Sequence, residues 1–122
     1  LPQRVYELGT VVRDHHNANR VGWACAEVGT GFTAAKGMAE ALMRDLGAYS
    51  REISVEYEPL TESDGGPYLA GRGAKVMVAG EWVGCCGEID PTISELFGLK
   101  VPIHCGEFDV DALGRLIPDP IL

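Results

Sequence analysis

The sequence predicts one α+β domain, residues 1–122, built on a mainly antiparallel sheet with one long and one short helix. Most of the extended segments follow each other as hairpins, and only one segment has the apolar periodicity of a long helix. The strands do not alternate regularly with helices, which disfavours a parallel doubly wound sheet. With 122 residues, of which 46% are hydrophobic, the chain can bury one core rather than two.

The first predicted element is a hairpin. The strand "RVYELGTVV" enters a polar turn, "RDHHNAN", and "RVGWACAEVG" returns as the second strand. The turn holds His15, His16 and Asn17.

The long helix follows, in "TGFTAAKGMAEALMRDLG". Its apolar residues recur at helical spacing, which predicts one buried stripe. Thr30 is the expected N-cap and Gly47 the expected C-terminal stop. The stripe consists of Phe32, Ala35, Ala39, Leu42, Met43 and Leu46.

A strand, "REISVEYEPL", comes next and alternates apolar with charged residues, so one of its faces should be wet. After the polar loop "TESDGGP", the segment "AKVMVAGEWVGC" predicts a second hairpin that turns at Ala79-Gly80.

The last elements are a short helix and a strand. Asp90 should cap the helix through "TISELF", and Pro91 suits its first position. Gly98 ends that helix, and "VPIHCGEFDV" is the last strand. Two prolines in "RLIPDPIL" exclude a regular end.

Composition limits the possible functions. A net charge of −8 disfavours non-specific nucleic-acid binding, and no apolar run is long enough to span a membrane. The four cysteines lack metal-site spacing and are expected to be free thiols of a reducing compartment, which indicates a cytoplasmic protein. The chain begins with Leu1 rather than Met, and we expect it to be a fragment of a longer polypeptide.

The glycine-rich run "GRGAKVMVAGEWVGCCGEIDP" raises the question of a phosphate site. Valine stands where G-x-G-x-x-G needs its third glycine, and a P-loop's Lys-Ser/Thr pair is missing. We therefore interpret Gly80 as a turn residue, and Gly84 and Gly87 as positions that another group approaches closely.

Other candidate sites are weaker. His15 and His16 could in principle hold a metal or act as a base, but solvated turn residues are the simpler interpretation. His104 and Cys105 should point to opposite faces of their strand. The carboxylates Glu7, Glu88 and Glu107 lie in apolar strand sequence, where buried acids need cationic partners such as Arg4, Arg72 or Lys75. The candidates for a buried pair or an interface are Arg4, Glu7, Arg20, Arg72 and Glu88.

These segments resemble the β chain of archaeal and eukaryotic-type phenylalanyl-tRNA synthetase, near its C-terminal end. The order and spacing of several short motifs carry the resemblance over nearly the whole chain. They are "LPQRVYELGTVV", "NRVGWACAEVGTGFTAAKGMAEALMRDLG" and "PYLAGRGAKVMVAGEWVGCCGEIDPTISELFGLKVPIHCGEFDVDAL".

The resemblance implies a truncated class II synthetase-like fold without aminoacylation activity. In the family, the α chain activates phenylalanine with ATP and magnesium, and this β domain packs against it in an (αβ)₂ assembly. We therefore expect an architectural role, with no cofactor in this fragment and contact with tRNA only within the full complex. Self-association of the fragment is a further expectation.

The resemblance also places Arg4 to Val12 and Arg20 to Val28 on the hairpin that carries the ATP-contacting arginine in active class II domains. This chain lacks the usual arginine-x-glutamate pair on the outgoing strand, and it lacks a glycine-rich motif ending in an arginine on a C-terminal helix. The alternative hypothesis is a free-standing module that binds an amino acid or a nucleotide in a cleft near Arg4, Arg20 and Glu88.

Overall fold

The computed structural model describes residues 3–13, 16–27, 29–96 and 98–117. Six described strands form one sheet in the order β1-β2-β6-β5-β4-β3, and every neighbouring pair is antiparallel. The α+β class and the antiparallel sheet are therefore confirmed. The elements are β1 Gln3–Arg13, β2 His16–Ala26, α1 Phe32–Asp45, β3 Val55–Pro59, a 3₁₀ turn Glu62–Asp64, β4 Tyr68–Val78, β5 Glu81–Ile89, α2 Pro91–Leu96, β6 Ile103–Asp109 and α3 Val110–Leu116.

Helices α1 and α3 cover one face of the sheet. Helix α1 contacts β4, β5 and β6, whereas α3 contacts β2 and β6. Their apolar side chains join those of the strands in one buried cluster, in which Met43, Val76, Phe108 and Ile117 are fully buried. Among the described residues, α1 and α3 are the helices that pack extensively against the strands. This asymmetry sets where a ligand could approach.

The first hairpin has a shorter turn than the sequence predicts. Strand β1 extends to Arg13 and pairs there with His16, so His16 and Asn17 belong to β2 rather than to a loop. Polar side chains do not prevent the backbone ladder from continuing, because strand preference depends strongly on context. His15, at the tip, lies outside the described residues.

The expected cap of α1 is wrong. Gly31 occupies the N-cap position and provides no side-chain hydrogen bond. The hydroxyl of Thr30 instead forms a buried hydrogen bond with the Nδ1 atom of His104. The Thr30 side chain, which the local sequence predicts as a helix cap, therefore bonds to a residue distant in sequence, His104.

The second hairpin turns where the sequence predicts. Ala79 and Gly80 have φ angles of 50° and 81°, the left-handed pair that a tight two-residue hairpin turn needs. Strand β4 begins earlier than expected, at Tyr68, with a register irregularity between Tyr68 and Gly73. The "GRG" segment is therefore part of the strand.

The C-terminal part contains a helix that the sequence analysis missed. Asp90 caps α2 as predicted, since its Oδ1 atom accepts a hydrogen bond from the Thr92 N–H at 2.9 Å. Asp109 caps α3 in the same way, through the Ala112 N–H at 3.0 Å. The prediction of one long and one short helix is therefore wrong, because the prolines follow α3 and do not prevent it.

Candidate ligand cleft on the open face of the sheet

The strand register sorts neighbouring residues of β5 to opposite faces. Cys86 pairs with Ala74 and Gly106 and is fully buried beneath the helices. Cys85 pairs with Lys75 and Glu107 on the face that the helices leave open. The divergence expected for His104 and Cys105 is confirmed: His104 contacts Thr30, and Cys105 contacts Tyr68.

A cleft of about 680 Å³ lies on the open face. Strands β2, β5 and β6 form its floor, and residues of the segment that precedes and begins β4, among them Leu60, Asp64 and Tyr68, form one wall. Trp82 borders it from β5 and is 48% exposed. Its volume falls in the range of ordinary small-molecule pockets, roughly 300–1,000 Å³.

Arg20 is the cation of this cleft. Its Nη2 atom donates a hydrogen bond to the Oε1 atom of Glu107 at 3.1 Å, and its side chain is only 14% exposed. The two residues lie on β2 and β6, which the sheet brings side by side. The Nε atom of Arg20 is buried and has no hydrogen-bond partner among the described residues. The N–H group at Nε of Arg20 is therefore a buried donor without an acceptor among the described residues.

Tyr68 lies across the other end of the cleft floor. Its hydroxyl is 3.3 Å from the Cys85 sulfur and 3.9 Å from the Cys105 sulfur. Burial, followed by the two neighbouring thiols, raises the pKa of Tyr68 above its ordinary range. Burial also raises the pKa of Cys105, to about 11, so both groups are neutral near pH 7.

An ion pair joins the wall of the cleft to strand β4. The Lys75 Nζ atom is 3.3 Å from the Oδ1 atom of Asp64, and it lies 4.7 Å from the centre of the Trp82 ring. The Thr61 N–H donates to Asp64, and this bond is the main reason that the carboxyl has a lowered pKa. Lys75 and Asp64 are therefore already paired.

Gly84 and Gly87, in the glycine-rich run of residues 71–91, are positions where other groups pack closely. A Cβ on Gly84 would lie 2.4 Å from the Glu107 carbonyl oxygen and 2.5 Å from the Phe108 ring. One on Gly87 would lie 2.5 Å from the Arg72 carbonyl oxygen and 2.7 Å from Tyr68. Both glycines are positions of close approach, as the sequence predicts.

The structure describes the side chains of three of the five candidate residues, Arg20, Arg72 and Glu88. Arg20 lines the cleft, but Glu88 pairs with His104 on the helix-covered face, where its Oε1 atom lies 2.7 Å from the place of a Cβ on Gly31. Arg72 is exposed on β4. In the backbone register Arg4 lies opposite Cys25, and Glu7 lies opposite Gly22.

Several cleft residues were not singled out by the sequence analysis. Asp64 and Tyr68 are two of them, and they reach the cleft through strand order, which no local pattern encodes. Arg115 occupies the last turn of α3 and forms an ion pair with Glu81.

In the described part of the chain, no three His, Cys, Asp or Glu side chains are grouped to hold a metal ion, and no helix there is long and apolar enough to cross a membrane.

Comparisons with known proteins agree on one family. The profile described as "Phenylalanyl tRNA synthetase beta chain CLM domain" matches residues 1–110. The phenylalanine–tRNA ligase β subunit of Methanopyrus kandleri is 38% identical over 119 residues, which are 92% of this chain and 19% of that protein. The Pyrococcus horikoshii β subunit is 36% identical over 121 residues, covering 93% of this chain and 20% of that protein.

A third relative, the β subunit of Methanothrix thermoacetophila, is 36% identical over 103 residues, which are 84% of this chain and 18% of that protein. The chain thus spans about a fifth of the length of these relatives. The family profile covers most of the chain, and the relatives named above are more than 30% identical to the chain over the aligned residues. The chain therefore belongs to the family of the phenylalanyl-tRNA synthetase β chain CLM domain.

Proposed function

We propose that this chain is a noncatalytic structural part of a cytoplasmic phenylalanine–tRNA ligase, in which it supports the α chain that attaches phenylalanine to tRNA. The family match over residues 1–110 carries the proposal. On this proposal the antiparallel sheet is a truncated class II synthetase-like core, the assembly is an (αβ)₂ heterotetramer, and tRNA is met only in the full complex.

The charges of the open face support a role without nucleotide chemistry. Three carboxylates line the cleft, those of Asp64, Glu107 and Asp109, against the single guanidinium of Arg20. A triphosphate needs an excess of positive charge and hydrogen-bond donors. Because Arg20 already pairs with Glu107, this cleft is poorly suited to ATP and its magnesium ion.

Two measurements test the structural role. The purified chain should catalyse no phenylalanine-dependent exchange of pyrophosphate with ATP, and it should co-purify with the α subunit of the same organism after co-expression. An unrelated tRNA ligase subunit serves as the control for capture. Exchange by the pure chain, or failure to bind the α subunit while the chain is folded, would contradict the proposal.

A second candidate function is a small-molecule binding module, and the cleft on the open face favours it. A ligand that binds only the native state raises the melting temperature. Thermal-shift measurements with phenylalanine, ATP and an adenylate analogue should then give a shift for at least one of them. The absence of any shift at millimolar ligand would count against the module.

A further inference from the structure

Two of the four cysteines, Cys85 on β5 and Cys105 on β6, line the open-face cleft as free, partly exposed thiols. In the ladder, Cys85 lies opposite Glu107 and Cys105 lies opposite Gly87, so the two thiols occupy diagonal positions on the same face. Both sulfur atoms contact one oxygen atom, the hydroxyl of Tyr68, at 3.3 Å and 3.9 Å. Two sulfur donors therefore converge on one point that a solute in the cleft can reach.

The other two cysteines lie on the helix-covered face. Cys86 is fully buried, and Cys25 is only 4% exposed. Cys25 lies opposite His104 and lines a separate, smaller cavity together with Met38 of α1. The chain therefore contains a second pair of thiols that does not border the open-face cleft.

The diagonal arrangement of Cys85 and Cys105 favours a bridge longer than a disulfide. Cα atoms at diagonal positions of an antiparallel pair are about 7–8 Å apart. A disulfide usually joins Cα atoms within about 6.8 Å of each other, and a longer separation requires the backbone to move. A metal ion placed between the two sulfur atoms spans the longer distance.

The number of donors indicates which metal ion the two thiols suit. Structural zinc takes four protein ligands, and an iron–sulfur cluster takes four cysteines. Among the described residues, no three His, Cys, Asp or Glu side chains are grouped for a metal ion. Cu(I) is a soft ion that thiolates select, and two sulfur ligands on opposite sides of the ion suffice for it. The hydroxyl of Tyr68 supplies a donor that can hydrogen-bond to a coordinated sulfur and hold it in place.

We propose that Cys85 and Cys105 form a two-thiolate Cu(I) site in the open-face cleft. On binding, each thiol releases its proton to the solvent and each sulfur forms one bond to the ion, with no change in oxidation state. The bound ion links β5 to β6 beneath the hydroxyl of Tyr68. The site needs neither the α subunit nor a nucleotide, so its test is independent of the proposed ligase role.

Competition for Cu(I) with a chromophoric chelator, without oxygen and with a reductant that contains no thiol, measures the affinity of the full chain. We expect one ion per chain, which native mass spectrometry should show as one added copper. Cys85→Ser and Cys105→Ser should each weaken binding at least tenfold, because each removes one of two ligands. Cys25→Ala and Cys86→Ala are the matched controls and should retain the parent affinity when their melting curves show that they are folded.

Alkylation of the parent chain by iodoacetamide gives a readout that needs no variant. Cu(I) should slow the alkylation of Cys85 and Cys105 at least tenfold and leave the rates at Cys25 and Cys86 unchanged, as peptide mass spectrometry reports for each residue. The proposal is overturned if the chain does not compete for Cu(I), or if Cu(I) does not protect both open-face thiols. Parent affinity in a folded Cys85 or Cys105 variant, or loss of binding in a folded Cys25 or Cys86 variant, would also overturn it.

Discussion

The two faces of the sheet are built from the same strands but are covered by different side chains. On the helix-covered face, Trp23 and Phe108 stack with their ring centres 5.9 Å apart and fill the space above Gly106 and Gly84. On the open face, the side chains of Leu60 and Tyr68 lie over Gly73, and the Arg72 carbonyl oxygen and Tyr68 lie over Gly87, while the remaining floor is left as the cleft. The first face is packed like a protein interior, while the second keeps polar groups close to solvent.

This difference indicates that the space beside a glycine is used differently on the two faces. Under the helices, a missing side chain lets an aromatic ring fill the gap, which leaves no room for change. On the open face, the side chains beside Gly73 can move outward when a Cβ is added, whereas Gly87 is closed off by the backbone of Arg72. Substitutions at Gly84 and Gly73 should therefore differ in cost even though the chemical change is the same.

The largest contrast is expected for the aromatic residues. Phe108→Ala should lower the free energy of unfolding by about 3–5 kcal/mol, because Phe108 is fully buried and its removal leaves a cavity. Trp82→Ala should cost less, about 1–2 kcal/mol, since Trp82 is 48% exposed and loses its contact with Lys75 and the hydrogen bond from its Nε1 atom to the Gly84 carbonyl oxygen. Denaturant unfolding of both variants measures the difference. Equal costs would show that the open face is as tightly packed as the covered one.

A smaller contrast is expected for the glycines. Gly84→Ala should destabilise the chain by about 2–3 kcal/mol, because the added Cβ meets a backbone carbonyl oxygen at 2.4 Å. Gly73→Ala should cost about 1 kcal/mol or less, since its Cβ meets side-chain atoms of Leu60 and Tyr68 at 3.0 Å that can shift toward the cleft. The shift of the urea midpoint gives both values. A Gly73 variant as unstable as the Gly84 variant would contradict the freedom assigned to the open face.

The last contrast concerns the thiols and appears only at alkaline pH. Burial raises the pKa of Cys86 from 9.0 to about 12, so the unfolded chain loses this proton at lower pH than the folded one does. The contribution of Cys86 to stability is therefore complete below about pH 9 and declines as the pH rises toward 12. Cys86→Ala should flatten the loss of stability over that range, as measured by urea unfolding at a series of pH values.

The open-face thiol provides the comparison for this effect. Burial raises the pKa of Cys105 to about 11, so the corresponding decline should end about one pH unit earlier. The Cys105→Ala variant should then match the parent chain in slope above pH 11. An unchanged slope between pH 9 and 12 in the Cys86 variant would refute the assigned cause.

Local pattern predicted much of the fold. Alternation correctly assigned His104 and Cys105 to opposite faces, and the left-handed requirement at Ala79 and Gly80 correctly located the second turn. Capping chemistry located α2 at Asp90 but missed the equivalent signal at Asp109, because the prolines after it suggested an irregular end.

Long-range pairing could not be predicted in the same way. Arg20 and Glu107 are 87 positions apart and meet only because β2 and β6 are neighbours in the sheet. Thr30 carries a good capping side chain, but a buried histidine 74 positions away takes its hydroxyl. In both cases the competing partner is set by strand order, which the sequence does not display.

By itself, the sequence determined the approximate positions of the strands, the family resemblance and the character of the glycine-rich run. Its glycines mark close approach rather than phosphate binding, since the phosphate motifs fail residue by residue. Only the tertiary structure decided which groups lie beside these glycines and that Arg20 and Glu88 lie on different faces of the sheet. It also decided that a cleft remains on the open face. The physical reason is that backbone preference is local, whereas burial and charge pairing depend on which strands become neighbours.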